Sequence, residues 1–144
     1  IEDICFIGCT LWSNVPDGHI IPKYRVRIKS FNTYIYKLNH YKDLNFIQKS
    51  LNFCKSKKIK PCIITHYPPL KNCMGPQHEN DKCQFLYFNN LKYLFDKYDI
   101  NTWIYGHVHH NKCFKIKNCN CISNQLGRTK DNIKDYVKNF HYTF

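Results

Sequence analysis

Lys60-Pro61-Cys62-Ile63-Ile64-Thr65-His66-Tyr67-Pro68-Pro69 is a compact apolar run that stops at a histidine and leaves through two prolines. A run this short and this apolar predicts a strand buried on both faces, the kind that parallel sheets use. The double proline stiffens the exit. A second run of the same design, Thr102-Trp103-Ile104-Tyr105, closes on Gly106-His107-Val108-His109-His110. Between the two lie a polar loop from Tyr67 to about Phe85 and then a helix starting near Asn89 or Asn90, with Leu91, Leu94, Phe95 and Tyr98 on one side. That loop is longer than usual, and long loops in compact domains tend to carry function.

Ahead of the first run, Leu44, Ile47, Leu51 and Cys54 recur at helical spacing. They predict an amphipathic helix from an N-cap at Asp43 to about Lys57. Asp3-Ile-Cys-Phe-Ile-Gly8 reads as a further buried strand, followed by Cys9-Thr-Leu-Trp-Ser13 and a turn at Pro16-Asp-Gly18. Cys113–Ile116 and Asn120–Ile122 predict a hairpin around Lys117-Asn118. Residues 20 to 38 alternate like edge strands at Tyr24–Ile28 and Thr33–Tyr36 without clean boundaries, so that stretch stays open. The last stretch, Lys130 to Phe144, fits a short helix or a loose tail. The succession of helix, buried strand, helix, buried strand and hairpin is α/β organisation. At 144 residues it makes a single domain, 1–144.

The 22 Lys and Arg against 10 Asp and Glu give a formal charge of +12, which suggests a nucleic-acid partner. Only three of those cations are Arg, however, and the chain is rich in Lys, Asn, Ile, Tyr and Phe while containing no Ala. AT-rich coding produces that bias whatever the function. The Lys residues are scattered, with one short run at Lys55, Lys57, Lys58 and Lys60, and no Gly-rich basic motif accompanies them. Nine cysteines without a repeated paired frame read as reduced thiols, which places the chain in a reducing, cytoplasmic compartment. A structural zinc on Cys113, Cys119 and Cys121, with Cys73 or Cys83 as fourth ligand, is the rival reading. No stretch has the roughly 18 uninterrupted apolar residues of a membrane span, and Ile4 to Trp12 lacks the basic flank of a secretory signal.

The chemistry concentrates in histidine. Strand ends of an α/β sheet are where ligand sites gather. Gly106 lets the backbone turn and approach closely just before His107. His107 and His109, two apart, can reach one small volume if the chain bends after the strand. His19, His40, His78 and His141 read as ordinary, partly exposed histidines.

Thr65-His66-Tyr-Pro-Pro69 and Gly106-His107-Val-His109 resemble the last two motif blocks of the calcineurin-like metallophosphoesterases. Gly8-Cys-Thr-Leu-Trp-Ser13 is similar to a strand in one branch of that family, and Asn124-Gln-Leu-Gly127 sits where that branch has an Asn-x-x-Gly. The resemblance implies the C-terminal part of a four-layer α/β/β/α sandwich and hydrolysis of a phosphoester at a dinuclear centre. It implies two divalent ions drawn from Mn, Fe, Zn or Mg, with His66 and His107 on one and His109 on the other. His110, beside the motif, is a candidate rim contact to substrate.

The departures from the pattern matter as much. The family's D-x-H, G-D and G-N-H blocks, which supply the carboxylate bridge and the usual proton donor, have no counterpart in the chain. Asp17-Gly-His19 spells D-x-H, but it follows Val-Pro instead of a strand and lies after the Thr-Leu-Trp-Ser segment, so a turn explains it. The chain also begins Ile1-Glu2 without Met. The expectation is a piece lacking the N-terminal half of its domain, carrying three histidine ligands and inactive by itself. Its partners are then the missing half and a phosphoester substrate, with nucleic acid as one such substrate and no membrane. The alternative is a non-catalytic, basic nucleic-acid-binding remnant.

Overall fold

The computed structural model describes residues 3–26, 28–29 and 32–143. Its fold is α/β: a five-stranded sheet and two α-helices. The strands are β1 (Ile4–Cys9), β2 (Lys60–Thr65), β3 (Thr102–Tyr105), β4 (Cys113–Ile116) and β5 (Cys119–Ile122), and the helices are α1 (Thr33–Lys57) and α2 (Lys92–Lys97). Spatial order is β1-β2-β3-β5-β4. The pairs β1–β2, β2–β3 and β3–β5 are parallel, and only the β4–β5 hairpin is antiparallel.

Register sets the core. Ile7, Ile63, Trp103 and Cys121 stand opposite one another across four strands. All four are at most 2% exposed, on the face that α1 covers with Ile47, Leu51 and Cys54. Short α2 packs on the same face, where Phe95 stacks on Trp103 at 5.3 Å. Each such fully buried side chain contributes about 1.5–3 kcal/mol over its exposed state. The opposite face is less covered: Phe6 on β1 and Ile64 on β2 remain 50% and 41% exposed. β1 is therefore less buried than its apolar sequence suggested, and β2 is buried on both faces at Cys62 and Ile63 but opens at Ile64. β1 is an edge strand whose only fully buried side chain is Ile7.

α1 begins eleven residues earlier than the Asp43 cap predicts, at Thr33. Asn32 caps it, its Oδ1 accepting the Ile35 N–H at 3.0 Å. Tyr36 and His40 extend the buried stripe toward the N-terminus, so the strand-like Thr33–Tyr36 is the helix's first turn. Asp43 sits mid-helix, and its Oδ2 is buried without a hydrogen-bond partner. Lys58, at φ 57°, ends the helix, and the Ile59 N–H returns to the Cys54 carbonyl at 3.0 Å. The described residues from 20 to 29 form turns instead of a strand, and Arg27 and Phe31 lie outside the described residues. Asn89 is not a cap for α2. It is 1% exposed and ties three loops together: Oδ1 accepts the Asn14 N–H, and Nδ2 donates to the Leu11 and Pro68 carbonyls.

The final stretch contains one short helical turn, Thr129–Asp131. Among the described residues no helix is long and apolar enough to cross a membrane.

Candidate functional site

β2 and β3 run parallel with Thr65 opposite Tyr105, which brings His66 beside Gly106 and lets the Gly106 N–H donate to the His66 carbonyl at 3.1 Å. Side chains clamp the two strand ends together. Trp103 Nε1 donates to Thr65 Oγ1 at 2.9 Å, and Thr65 Oγ1 donates to the Tyr67 carbonyl at 2.7 Å. The two histidines that follow consequently meet: His66 Nε2 lies 3.0 Å from His107 Nδ1.

The glycine between strand and histidine is not where the backbone is forced. A methyl group on Gly106 would meet only ordinary contacts, the nearest 3.5 Å away at the His66 carbonyl. The left-handed conformations fall instead on His107, at φ 71°, and His109, at φ 48°. Non-glycine residues held in that region cost about 1–3 kcal/mol each and cluster at functional sites. Buried Val108 pins the bend into the core. Gln77 Nε2 donates to the Val108 carbonyl at 2.9 Å, and Gln125 holds both sides of the next peptides, accepting from the His109 N–H and donating to the His110 carbonyl. Gln125 thus gives the Asn124–Gly127 segment its local role.

Hydrogen bonding fixes the His107 tautomer. The Leu86 carbonyl can only accept, so His107 Nε2, 3.0 Å away, carries the proton and Nδ1 presents a lone pair toward His66. Burial, and next the neighbouring His66, push His107 down to about 3, so it stays neutral near pH 7. Partial burial and then His109 lower His66 as well. A neutral imidazole that donates its far nitrogen to a carbonyl is the form a metal ligand takes. Two ring nitrogens this close share either a hydrogen or a cation. Their spacing is compatible with adjacent ligands at about 2.0–2.1 Å from one ion. The pair therefore fits a divalent ion as two of its ligands.

His109 does not join them. Its Nδ1 pairs with Asp131 Oδ2 at 2.6 Å, on the turn after Gly127. His110 lies with His109, Gln77, His78 and Asp131 around a separate cleft of about 470 Å³, away from His107. Among the described residues no three His, Cys, Asp or Glu side chains are gathered to hold a metal. The cysteine site is not assembled either. Cys113 is opposite Ile122 and Cys121 opposite Phe114, so the pleat puts Cys113 on the other face from Cys119 and Cys121. Asp17-Gly-His19 is a turn, with Gly18 at φ 77° and Asp17 paired to Lys37 at 2.7 Å.

Of the histidines read as ordinary and partly exposed, His40 is buried, while His78 is half-buried but specifically partnered. His40 is 3% exposed, with Nδ1 on the Trp12 carbonyl. His78 stacks on Tyr87 at 3.8 Å and places Nε2 3.3 Å from the Val108 carbonyl, beneath the histidine bend. Sequence reasoning also missed Asp131, Gln77 and Gln125. Only Gln125, inside the quoted Asn124–Gly127 segment, carried a signal that could have found it.

A cleft of about 660 Å³ opens beside His107, with Tyr24, Arg25, Tyr87, Arg128 and Lys130 among its lining. The chain is 30% identical to an uncharacterized protein of Acanthamoeba polyphaga mimivirus over 156 aligned residues, 95% of this chain and 55% of the relative. It thus spans about half the length of the curated relative it matches. No family model and no solved structure matches the chain.

Proposed function

We propose that this chain carries the histidine part of a calcineurin-like, metal-dependent phosphoesterase site. The observation that carries the reading is the convergence of His66 Nε2 and His107 Nδ1 at the ends of two adjacent parallel strands. In this reading His66 and His107 hold one divalent ion, of Mn, Fe, Zn or Mg type, and His109 belongs to a second. Ligand type alone does not select among them.

Bound ions of this kind polarise a phosphoryl group and lower the pKa of a coordinated water. The chain's own contribution is positional. The Leu86 carbonyl keeps the His107 proton on Nε2. Asp131 holds the Nδ1 proton of His109 and so leaves the Nε2 lone pair available. Three imidazoles carry no negative charge, and divalent ions favour carboxylate oxygens. The bridging carboxylate and the proton donor then come from outside the matched blocks, which suits a chain spanning about half of its relative. The exposed apolar side chains Phe6 and Ile64 suit a second sheet packed on that face, as in a four-layer α/β/β/α sandwich.

The test is hydrolysis of p-nitrophenyl phosphate and bis(p-nitrophenyl) phosphate by the complete protein with added Mn²⁺. The expected result is turnover that falls at least a hundredfold in His66→Ala and in His107→Ala. Turnover unchanged in both variants, or absent from a folded, metal-loaded complete protein, overturns the reading.

A further inference from the structure

The cleft beside His107 is lined by two chemically different sets of side chains. In the first, Tyr24 leaves 68% of its surface exposed. The Arg25 guanidinium sits 5.4 Å from the centre of that ring. It is held there by Asp81 at 2.8 Å and by the Tyr87 hydroxyl at 3.1 Å. Asp81 is itself fixed, accepting from the Cys83 N–H at 2.8 Å and the Tyr87 hydroxyl at 3.1 Å. Arg128 and Lys130 line the same cleft, and among the described residues neither forms an ion pair. His107 belongs to the same lining, its ring 4.1 Å from that of Tyr67.

A bare phosphate would use the cations and the imidazoles. It would make no use of an exposed ring with an ordered guanidinium lying over it. A planar, electron-rich ring does, because stacking a base on an aromatic or guanidinium plane contributes about 1–3 kcal/mol. The volume of about 660 Å³ is within the usual range for a small-molecule site. We infer that this cleft binds a nucleoside phosphate, with the base against Tyr24 and Arg25 and the phosphate between Arg128, Lys130 and the His66–His107 pair. The inference rests on the phosphoesterase reading and supplies its substrate class.

Calorimetric titration of the protein with AMP, ribose 5-phosphate and inorganic phosphate separates the contributions without requiring turnover. The expected result is AMP binding at least tenfold tighter than ribose 5-phosphate. Tyr24→Ala, at an exposed position, should erase that gap while leaving ribose 5-phosphate affinity in place, and Arg128→Gln should weaken both ligands. Equal affinity for AMP and ribose 5-phosphate, an unchanged gap in Tyr24→Ala, or no AMP binding at all overturns the inference. A protein that hydrolyses p-nitrophenyl phosphate yet shows no preference for AMP contradicts the nucleotide alone. A protein that binds AMP as described yet hydrolyses no phosphoester contradicts only the phosphoesterase reading.

Discussion

His66 Nε2 and His107 Nδ1 face each other at 3.0 Å although 41 residues of chain separate them. The parallel pairing of β2 with β3 and the Trp103–Thr65 hydrogen bond produce that meeting, because both act immediately before the histidines. Replacing Trp103 by Phe keeps much of the buried ring and removes the N–H. The Thr65 hydroxyl still has the Tyr67 carbonyl as acceptor, so no polar group is stranded. We expect Trp103→Phe to cost about 1–2 kcal/mol of stability in urea titration, from one lost hydrogen bond and an imperfect fit.

Asn89 should be far more sensitive than its place in a polar stretch suggests. Asn89→Ala leaves the Asn14 N–H without its acceptor and the Leu11 carbonyl without its Asn89 donor. With about 1–3 kcal/mol for a buried group left unsatisfied, which applies to the Leu11 carbonyl and less to the part-buried Asn14 amide, a loss of about 2 kcal/mol is expected in the denaturation free energy.

Gly127 is the glycine that the site requires. Its φ is 70°, and an added Cβ would lie 2.9 Å from Ile133 Cγ1 and 3.2 Å from Asp131 Oδ2. Gly127→Ala should destabilise by about 1–2 kcal/mol from the left-handed backbone alone. It should also displace Asp131 from His109, which the His109 ring resonances would report.

Acid should weaken the fold through His40. Burial holds its imidazole below the usual 6.5, against the opposing pull of the Trp12 carbonyl and Asp43. A depressed histidine stabilises the fold above its unfolded value, and that contribution is lost as pH falls toward the folded value. Urea midpoints should therefore drop as pH falls below the unfolded histidine value of about 6.5. In His40→Gln, which keeps a donor for the Trp12 carbonyl, the drop should be smaller.

Asp131 orients His109 in the phosphoesterase reading. Partners that accept a ligand histidine's far N–H are typically worth 10- to 100-fold in metal affinity. Asp131→Asn in the complete protein should lower metal affinity by about that factor while leaving the urea midpoint nearly unchanged, as isothermal titration would show.

The strands and their histidine ends were legible because short apolar runs bounded by His, Gly and Pro allow few other readings. The beginning of α1 was not. Tyr34 and Tyr36 alternate as a strand would, and only the continuation through His40 to Ile47 reveals the helical stripe, in a position where histidine does not announce burial. Asp43 looked like a cap because aspartate usually is one, yet tertiary packing extended the helix past it. At the site, the meeting of His66 with His107 was implied by the family resemblance, whereas the residues alone suggested that His107 and His109 share one small volume, and they do not. The turn of His109 toward Asp131 was not legible, since it depends on a left-handed backbone at His109 and on a tight turn at Gly127. Asn89 and Gln125 act through loop carbonyls and amides that no periodicity encodes.

In the proposed site His66 and His107 together hold a divalent cation. Nine free cysteines make bulk zinc binding uninformative, because soft thiolates also take Zn²⁺. Imidazole nitrogen NMR during Zn²⁺ titration reads each ring separately. The first equivalent should shift His66 Nε2 and His107 Nδ1 together, while exposed His19 and His141 stay in place. Unmoved nitrogens at His66 and His107, with the cysteine Cβ resonances shifting instead, would contradict that assignment.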